Sequence, residues 1–365
     1  SMTLIPARTL NDAPLVLPGR GAVTNPPGRF AHDRVEAAAD GWDTDPELPA
    51  ALATTLLPER ARTVVTRNDS PDVPFDRSVN PYRGCEHGCV YCYARPAHAY
   101  VDLSPGIDFE TRLFFKEDAP RLLARELARV GYVCRPMALG TNTDPYQPVE
   151  RRTRLTRSLV EVLAAHGHPL TITTRSALVL RDLDLLVPLA ERGLVSVAIS
   201  LTTLDDDLKR RMEPRAPGAT ARLRTIRALR EAGIPVGVMA APLIPAINDG
   251  ELEALLAAAA EAGATHASWI LLRLPHEVAP LFEDWLRVHF PERAERVLSL
   301  VAQARGGRRN DPRFGVRMTG SGPYAALLGR RVTVAARRLG LDGPWPTLTT
   351  RHFRIPGEIP QLDLF

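Results

Sequence analysis

Cysteine, lysine and aromatic side chains are all scarce in this chain of 365 residues. With only four cysteines, and with no secretory leader evident in residues 2–20, the sequence argues against a secreted protein held together by disulfides. No apolar run reaches the roughly 20 residues that a membrane-spanning helix requires, so we expect no membrane contact. We therefore expect a protein of the cytoplasm, where a compact group of cysteines is more typical of metal binding than of disulfides.

The net charge is +4, and the only cationic side chains other than arginine are Lys116 and Lys209. Arginines are concentrated near the carboxyl end, at Arg305, Arg308, Arg309, Arg313, Arg317, Arg330, Arg331, Arg337 and Arg338. Asp311 is the one acidic residue among them. Such a cluster can neutralise nucleic-acid phosphates, and it is equally consistent with a solvated basic face.

From Thr63 onward, short apolar runs alternate with stretches of helical periodicity, whereas the residues before it show no sustained pattern. The apolar runs predict strands at 77–80, 137–139, 170–174, 195–201, 236–241 and 268–272. The periodic stretches predict helices at 119–130, 151–166, 183–192, 221–232 and 251–262. Several of these stretches end at a glycine, as α-helices commonly do.

Alternating apolar strands and helices indicate a parallel sheet covered by helices. About six βα units favour a partial (βα)6 barrel of the TIM type, with a doubly wound open sheet as the alternative. In either fold the carboxyl ends of the strands form the functional rim. We expect four regions: an irregular arm over 1–62, the barrel over 63–275, a helical, arginine-rich extension over 276–350 and a tail over 351–365.

The strongest chemical signal is that three of the four cysteines lie within eight residues, at Cys85, Cys89 and Cys92. This spacing lets one loop turn three thiolates toward a common centre, with a glycine before each of the first two cysteines to relieve the bends. Three thiolates leave one iron of a [4Fe–4S] cluster without a protein ligand. A zinc ion held by the thiolates and by His87 or His98 is the alternative that the spacing leaves open.

The segment from Ser78 to Pro96 resembles the cluster loop of the radical SAM superfamily, with its C-x3-C-x2-C pattern and an aromatic residue before the last cysteine. More narrowly, it is similar to the group related to spore photoproduct lyase, and the similarity runs from about Thr63 to Gly340. This resemblance implies a [4Fe–4S] cluster and S-adenosylmethionine (SAM) as cofactors. It also implies reductive cleavage of SAM to a 5′-deoxyadenosyl radical, with an electron donor of the flavodoxin or ferredoxin type. The βα context therefore favours iron–sulfur over zinc.

The same resemblance implies a set of SAM contacts: Tyr91, Thr143, Asp144, Arg175, Ser200, Arg215 and Asn248. Tyr91 matches the aromatic residue near the adenine, while Thr143 and Asp144 match the segment that contacts the methionine ammonium. A cation at Arg175 suits the methionine carboxylate. All of these residues except Arg175 also have a plain structural alternative, namely core packing, a turn, a buried hydroxyl, a surface salt bridge or a helix cap.

The catalytic hydrogen donor stays unassigned by sequence. In spore photoproduct lyase a cysteine near the end of the second strand returns hydrogen to the product radical. Here Thr141 stands at or beside that position, and Cys134 lies several residues earlier, so these two are the candidates. The absence of a cysteine at this position argues against repair of the spore thymine dimer by the same mechanism. A lone cysteine is also commonly a small buried hydrophobe.

The last five residues resemble the pentapeptide by which bacterial replication and repair proteins bind the DNA sliding clamp. Leu362, Leu364 and Phe365 would fill an apolar groove, and Gln361 would hydrogen-bond at its edge. With the arginine cluster, this tail favours damaged or modified DNA as the substrate. The alternatives are a radical SAM enzyme acting on RNA or a peptide, and a non-catalytic nucleic-acid-binding protein with a structural metal.

Overall fold

A computed structural model describes residues 14–31 and 52–357 of the chain. Its strands are β1 (Thr55–Pro58), β2 (Val65–Arg67), β3 (Arg77–Val79), β4 (Tyr82–Arg83), β5 (Arg112–Phe115), β6 (Met137–Leu139), β7 (Leu170–Thr174), β8 (Val195–Ser200), β9 (Val236–Leu243) and β10 (Ala267–Leu271). Its α-helices are α1 (Asp108–Thr111), α2 (Ala119–Leu127), α3 (Glu150–Thr153), α4 (Leu155–Ala165), α5 (Leu183–Glu191), α6 (Asp206–Met212), α7 (Ala219–Glu231), α8 (Leu252–Glu261), α9 (Val278–His289), α10 (Ala294–Gln303) and α11 (Gly322–Leu339).

The larger sheet has the order β10-β9-β8-β7-β6-β3-β2. The six strands from β3 to β10 in this sheet run parallel in chain order, and β2 pairs antiparallel with β3 at the edge. Every residue of β6 and β8 is buried, as expected for strands covered on both faces. Parallel strands that are neighbours in chain order are joined by helical crossovers on one side of the sheet, and such a sheet curves into a barrel. The prediction of a partial (βα)6 barrel is therefore confirmed.

The predicted strands and helices agree with the structure to within a few residues, except that one predicted helix is divided into two. A single helix was expected over 151–166, but the chain adopts a left-handed conformation at Arg154 and divides it into α3 and α4. The Glu150 carboxylate accepts hydrogen bonds from the backbone N–H groups of Thr156 and Arg157 at 3.0 and 3.3 Å. Glu150 thus satisfies free N–H groups in the first turn of α4, which periodicity alone does not reveal.

The expectation of an irregular arm over 1–62 is wrong for residues 55–58. These form β1, which pairs in parallel with β5, and β5 in turn pairs antiparallel with β4 in a small separate sheet. Such short strands carry little local pattern, because their stabilisation comes from pairing with a distant segment. Residues 14–31 also pack against the barrel, and Ala22 and Val23 are almost fully buried.

The main core lies between the larger sheet and its helices, and a second apolar cluster lies around the cysteine loop. In the second cluster Val90 packs with Met212 and with Trp285 of α9. The region 276–350 contributes α9, α10 and α11, and α11 packs on α8. No helix within residues 14–31 and 52–357 combines the length and apolar character needed to cross a bilayer.

Candidate active site

The cysteine loop connects β4 to a short 3-10 helix at 95–101, next to the carboxyl ends of β3 and β6. Its two predicted glycine bends are present, since Gly84 and Gly88 have φ values of 81° and 68°. A Cβ at Gly84 would lie 2.6 Å from a methyl group of Leu113, so only glycine fits there. Within the loop, the Gly88 N–H donates to the Cys85 carbonyl, and the Cys92 N–H donates to the Cys89 carbonyl. Two successive turns thus present the three thiols.

Buried polar side chains hold this loop from two sides. The Gln147 amide accepts from the Glu86 N–H at 2.9 Å and donates to the Gly84 carbonyl at 3.1 Å. On the other side, the fully buried Arg95 donates to the Cys89 carbonyl at 2.9 Å. Neither Gln147 nor Arg95 belongs to the predicted site, because their hydrogen bonds to a distant backbone segment leave no periodic signal in the sequence.

The three thiols are free and mostly buried. Burial raises the pKa of Cys85 well above its ordinary value, and Asp144 and the neighbouring thiols add to this effect. Burial likewise raises the pKa of Cys89 to about 12, against an opposing influence from Arg175. A set of neighbouring buried thiols that are costly to ionise in isolation suits a metal centre, which takes up the thiolate charge. The donor set therefore fits an iron–sulfur cluster.

Glu213 is the centre of a group of buried polar side chains beside the cysteine loop. No role was assigned to it from the sequence. Its buried carboxylate accepts hydrogen bonds from four side chains: Tyr91, Arg175, Thr202 and Arg222. Burial alone would raise the pKa of Glu213, but the guanidinium groups of Arg222 and Arg175 lower it to about 2. Glu213 is therefore a carboxylate whose charge is balanced by these two arginines.

Arg175 directly follows β7, the third of the predicted strands. Its side chain links Glu213 to the cysteine loop. Its Nη1 lies 2.9 Å from the Sγ of Cys89 and 2.8 Å from both the Tyr91 hydroxyl and the Glu213 carboxylate. The predicted pair Tyr91 and Arg175 is thus brought together beside Cys89. A cation at this place stabilises negative charge on the Cys89 sulfur.

Asp144 connects the ends of β6 and β7. Its carboxylate accepts from the Thr174 hydroxyl at 2.6 Å and from the Arg175 N–H at 2.9 Å, and it lies 3.4 Å from Nδ1 of His87. Burial raises the pKa of Asp144, but His87 and Arg175 outweigh that effect and hold it well below its usual range. The rim therefore presents an ionised carboxylate next to the cysteine loop, which suits an ammonium group.

Two further predicted contacts, Thr143 and Asn248, hydrogen-bond to backbone groups of neighbouring loops. Thr143 donates its hydroxyl hydrogen to the Tyr82 carbonyl at the start of the cysteine loop. The Asn248 amide donates to the carbonyls of Thr202 and Pro242 and accepts from the Ile244 N–H. Asn248 occupies the N-cap position of the short 3-10 helix at 249–251, but its side chain makes no capping hydrogen bond and instead holds the loop after β9.

The other two predicted SAM contacts lie at the edges of the site. Ser200 is buried at the end of β8, where its backbone carbonyl accepts from Arg222 at 3.0 Å. Arg215 is about one third exposed and lies 3.2 Å from the Glu86 carboxylate. Arg215 therefore forms an ion pair with Glu86 on the outer side of the cysteine loop.

The two candidate hydrogen donors occupy opposite ends of β6. Thr141 follows the strand, and its carbonyl accepts a hydrogen bond from Tyr93 at the rim. Cys134 precedes the strand, next to Val133, whose carbonyl accepts from the first residue of β3. Because the carboxyl ends of the strands face the cysteine loop, Cys134 lies at the end of β6 away from that loop, and Thr141 lies at the near end.

The histidines of the zinc alternative have other partners. His98 packs against Phe109 and Phe114, and its Nε2 lies 2.9 Å from the carbonyl of Arg112. Burial lowers the pKa of His98 to about 4. His87 faces Asp144. Among residues 14–31 and 52–357, no three histidine, cysteine or acidic side chains are grouped as ligands of a single metal ion.

The arginines near the carboxyl end do not form one free basic cluster. Arg305 is fully buried and donates to the carbonyls of Leu271 and Leu272 at the end of β10. Five others are paired with acids, namely Arg309 with Glu283, Arg313 with Asp311, Arg317 with Asp72, Arg331 with Glu253 and Arg337 with Asp342. Most of these acids come from distant segments, so the sequence did not reveal the pairing. The predicted clamp-binding residues 361–365 lie outside the described residues.

Comparison with known proteins agrees with this geometry. Residues 79–259 match the model of the radical SAM superfamily. A protein from Mycobacterium tuberculosis is 43% identical over 230 residues, which cover 62% of this chain and 68% of that relative. A protein from Methanocaldococcus jannaschii is 28% identical over 47% of this chain and 62% of its own length. Spore photoproduct lyase in complex with a dinucleoside spore photoproduct shares the fold, with a TM-score of 0.52, 16% identity and coverage of 78% of this chain and 79% of that chain.

Proposed function

Because the chain belongs to the radical SAM superfamily, we propose that Cys85, Cys89 and Cys92 hold its [4Fe–4S] cluster and that it acts on damaged or modified DNA. The cofactors of this superfamily are that cluster and SAM. When bound and reduced by one electron, they supply a 5′-deoxyadenosyl radical that abstracts hydrogen from carbon. The observation that carries the proposal is the contact of Arg175 with Cys89, which places a strand-end cation beside the cluster loop.

The residues of the rim form two groups: those whose side chains can contact SAM directly, and those that hold the surrounding loops. The Asp144 carboxylate can receive the methionine ammonium, and the Arg175 guanidinium can turn toward the methionine carboxylate while Glu213 retains it. Tyr91, held by Glu213 and Arg175, offers its ring to the adenine. Thr143 and Asn248 act on the cofactor indirectly, by holding the loops that surround it.

Support for a nucleic-acid substrate comes from the surface at the barrel rim. Tyr93 is 46% exposed, and the guanidinium of Arg273 lies 5.5 Å from its ring centroid. Phe314 is 57% exposed, and the guanidinium of Arg317 lies 4.6 Å from its ring centroid. Exposed aromatic rings beside arginines suit stacked bases. The related fold of spore photoproduct lyase, which holds a dinucleoside lesion, supports DNA over RNA or a peptide as the substrate.

Anaerobic reconstitution with iron and sulfide tests the chemistry. The reconstituted protein should show the visible absorbance of a [4Fe–4S] cluster, and dithionite with SAM should release 5′-deoxyadenosine. Cys89→Ala should abolish that release, whereas Cys134→Ala should leave it within about twofold of wild type, because Cys134 lies at the far end of β6. Unchanged release by Cys89→Ala would refute the assignment of the cluster.

Deuterium transfer identifies the substrate. Oligonucleotides deuterated at candidate carbons, in damaged and intact forms, are supplied with SAM and dithionite, and the 5′-deoxyadenosine formed is examined by mass spectrometry. Incorporation from a modified DNA oligonucleotide, and not from matched RNA or intact DNA, is the expected result. Incorporation from RNA or from a peptide alone would replace DNA as the substrate while retaining the radical chemistry.

A further inference from the structure

Arg273 is an arginine of the functional rim that has no acidic hydrogen-bond partner among the described residues. It lies two residues beyond the end of β10 and is partly buried. Its guanidinium lies 5.5 Å from the ring centroid of Tyr93, which directly follows Cys92 in the chain. The side chain of Arg273 therefore extends from the last strand of the barrel to the cysteine loop.

The hydrogen-bonding groups of Arg273 are poorly satisfied within residues 14–31 and 52–357. Its Nε is buried and has no hydrogen-bond partner there, and its Nη1 has the Sδ of Met318, a weak acceptor, at 3.6 Å. Burial lowers the pKa of Arg273, and the nearby charge of Arg317 lowers it further. A partly buried cation in these surroundings carries a cost in free energy that an anionic ligand would offset.

The charged groups around Arg273 leave an excess of positive charge. Asp72 attracts Arg273, but its carboxylate accepts from Nε of Arg317 at 2.6 Å and from the Gly315 N–H at 2.7 Å. Arg305 is fully buried, and its hydrogen bonds go to backbone carbonyls. Burial and the charge of Arg273 together lower the pKa of Arg305 to about 10. Three guanidinium groups therefore share one carboxylate at the end of β10.

A second aspartate, Asp311, does not remove this excess. It acts on Arg305 from nearby, but its carboxylate is paired with Arg313 at 2.6 Å. Each aspartate of this group is thus matched by an arginine of its own, and Arg273 and Arg305 are the cations left over within the described part of the chain.

Arg273 differs from its arginine neighbours in what it contributes to the fold. Arg305 holds the end of β10 through two backbone carbonyls, and Arg317 is bonded to Asp72. Arg273 makes no comparable bond to residues 14–31 or 52–357, and it lies beside the ring of Tyr93, which is 46% exposed. A cation that is costly to bury and holds no other segment in place is typical of a binding site.

We infer that Arg273 binds a backbone phosphate of the DNA substrate, beside the exposed ring of Tyr93. The inference rests on the proposed function, since it names the group of that substrate which this end of the rim receives. A phosphodiester offers two oxygens that match the planar fork of a guanidinium. Phosphate contacts fix the register of a nucleic acid on a protein, so this contact would position the nucleotide next to the cysteine loop.

Binding of a labelled oligonucleotide tests the site. Fluorescence anisotropy of a fluorescein-labelled, single-stranded DNA 12-mer is measured with the anaerobically reconstituted protein and SAM, between 50 and 200 mM salt. Arg273→Met should weaken binding about tenfold at the lowest salt and reduce the salt slope by ~0.7, as expected for one lost phosphate contact on a single strand. Arg273→Lys should recover the slope and part of the affinity. Arg330→Met, which removes an exposed arginine of α11, is the control and should match wild type.

Urea unfolding distinguishes a binding role from a structural one. Arg273→Met removes a cation without an acidic partner, so its unfolding midpoint should not fall below that of wild type. Arg317→Met breaks the bond to Asp72 and should lower the midpoint. A midpoint of Arg273→Met as low as that of Arg317→Met would assign Arg273 to the fold and overturn the inference.

The remaining outcomes separate this inference from the proposed function. If wild type binds no DNA, the DNA substrate fails and the phosphate site fails with it, whereas release of 5′-deoxyadenosine judges the radical chemistry by itself. If wild type binds DNA but Arg273→Met binds equally tightly with the same salt slope, only the assignment of Arg273 is overturned. An effect of Arg273→Met on a matched RNA 12-mer alone would overturn the assignment to DNA.

Discussion

The guanidinium of Arg175 donates a hydrogen bond to the thiol sulfur of Cys89 across 2.9 Å. The two residues are far apart in the chain, at the end of β7 and in the cysteine loop. Glu213 holds Arg175 in this position through a second hydrogen bond, and Asp144 accepts from its backbone N–H. The cluster loop and the strand-end site are therefore one electrostatic unit, and changes to its arginines and carboxylates should alter cofactor properties as well as stability.

Replacing Arg175 by methionine should make the cluster harder to reduce. The substitution removes a positive charge beside a cluster sulfur, so the midpoint potential should become more negative. SAM binding should weaken by about tenfold or more, because a charge-assisted hydrogen bond contributes about 1.5–3 kcal/mol. Redox titration and equilibrium dialysis measure the two effects.

Arg175→Lys is the matched control for that variant. It keeps the charge and should restore most of the potential, while SAM binding should recover only in part, since lysine lacks the planar fork. A potential unchanged in Arg175→Met would show that the charge of Arg175 is not felt by the cluster.

Stability should depend on acid through Glu213. The pKa of Glu213 in the folded protein is about 2, below the ordinary value of 4.5, so its charge stabilises the fold fully above pH 4.5 and progressively less toward pH 2. The expected loss is on the order of 3 kcal/mol. In Glu213→Gln this component is absent, so the variant should be less stable than wild type at pH 7, and the gap should narrow as the pH falls toward 3. Urea unfolding of the cluster-free proteins from pH 7 to pH 3 measures the gap, and a constant gap would contradict the prediction.

Glu110 should anchor the described part of the arm to the cluster loop. Its buried carboxylate accepts from the N–H groups of Gly21 and Ala22 at 2.9 and 2.8 Å and pairs with Arg95, which in turn bonds the Cys89 carbonyl. Glu110→Ala leaves a buried arginine unpaired, so it should destabilise the protein by about 3–5 kcal/mol. Hydrogen exchange at Gly21 and Ala22 should accelerate.

Glu117→Ala is the control for this substitution, because Glu117 is exposed. Its stability should remain within about 0.5 kcal/mol of wild type. If Glu110→Ala left exchange at Gly21 and Ala22 unchanged, the arm would be held by other contacts. Loss of iron from Glu110→Ala, with retention in Glu117→Ala, would show that the arm and the cluster loop are coupled.

Removal of residues 361–365 should abolish binding to a bacterial sliding clamp without changing SAM cleavage. Gln361, Leu362, Leu364 and Phe365 carry the likeness to the clamp-binding pentapeptide. Leu364→Ala, Phe365→Ala should have the same effect, because the apolar side chains fill the groove. Surface plasmon resonance against the immobilised clamp measures it. Retained binding by the truncated chain would refute this role of the tail.

Much of this protein could be predicted from local pattern. Parallel strands covered on both faces are apolar throughout, and the helices between them repeat every 3.6 residues, so the βα units and their order followed from the sequence. The cysteine spacing likewise predicted a metal centre, because one loop supplies all three thiols. The glycines at its bends, Gly84 and Gly88, have the positive φ values expected for them.

Only the tertiary structure decided which charged residues share an environment. Glu213 binds Arg175 and Arg222, Glu110 binds Arg95 and the arm, and three of the carboxyl-terminal arginines pair with acids from distant segments. Burial and ion pairing depend on distances across the fold, and such pairs leave no periodicity along the chain. The sequence therefore predicted a metal centre at the cysteines, the strand order and the rim, while folding determined which carboxylates and guanidinium groups control the charge around the cysteines.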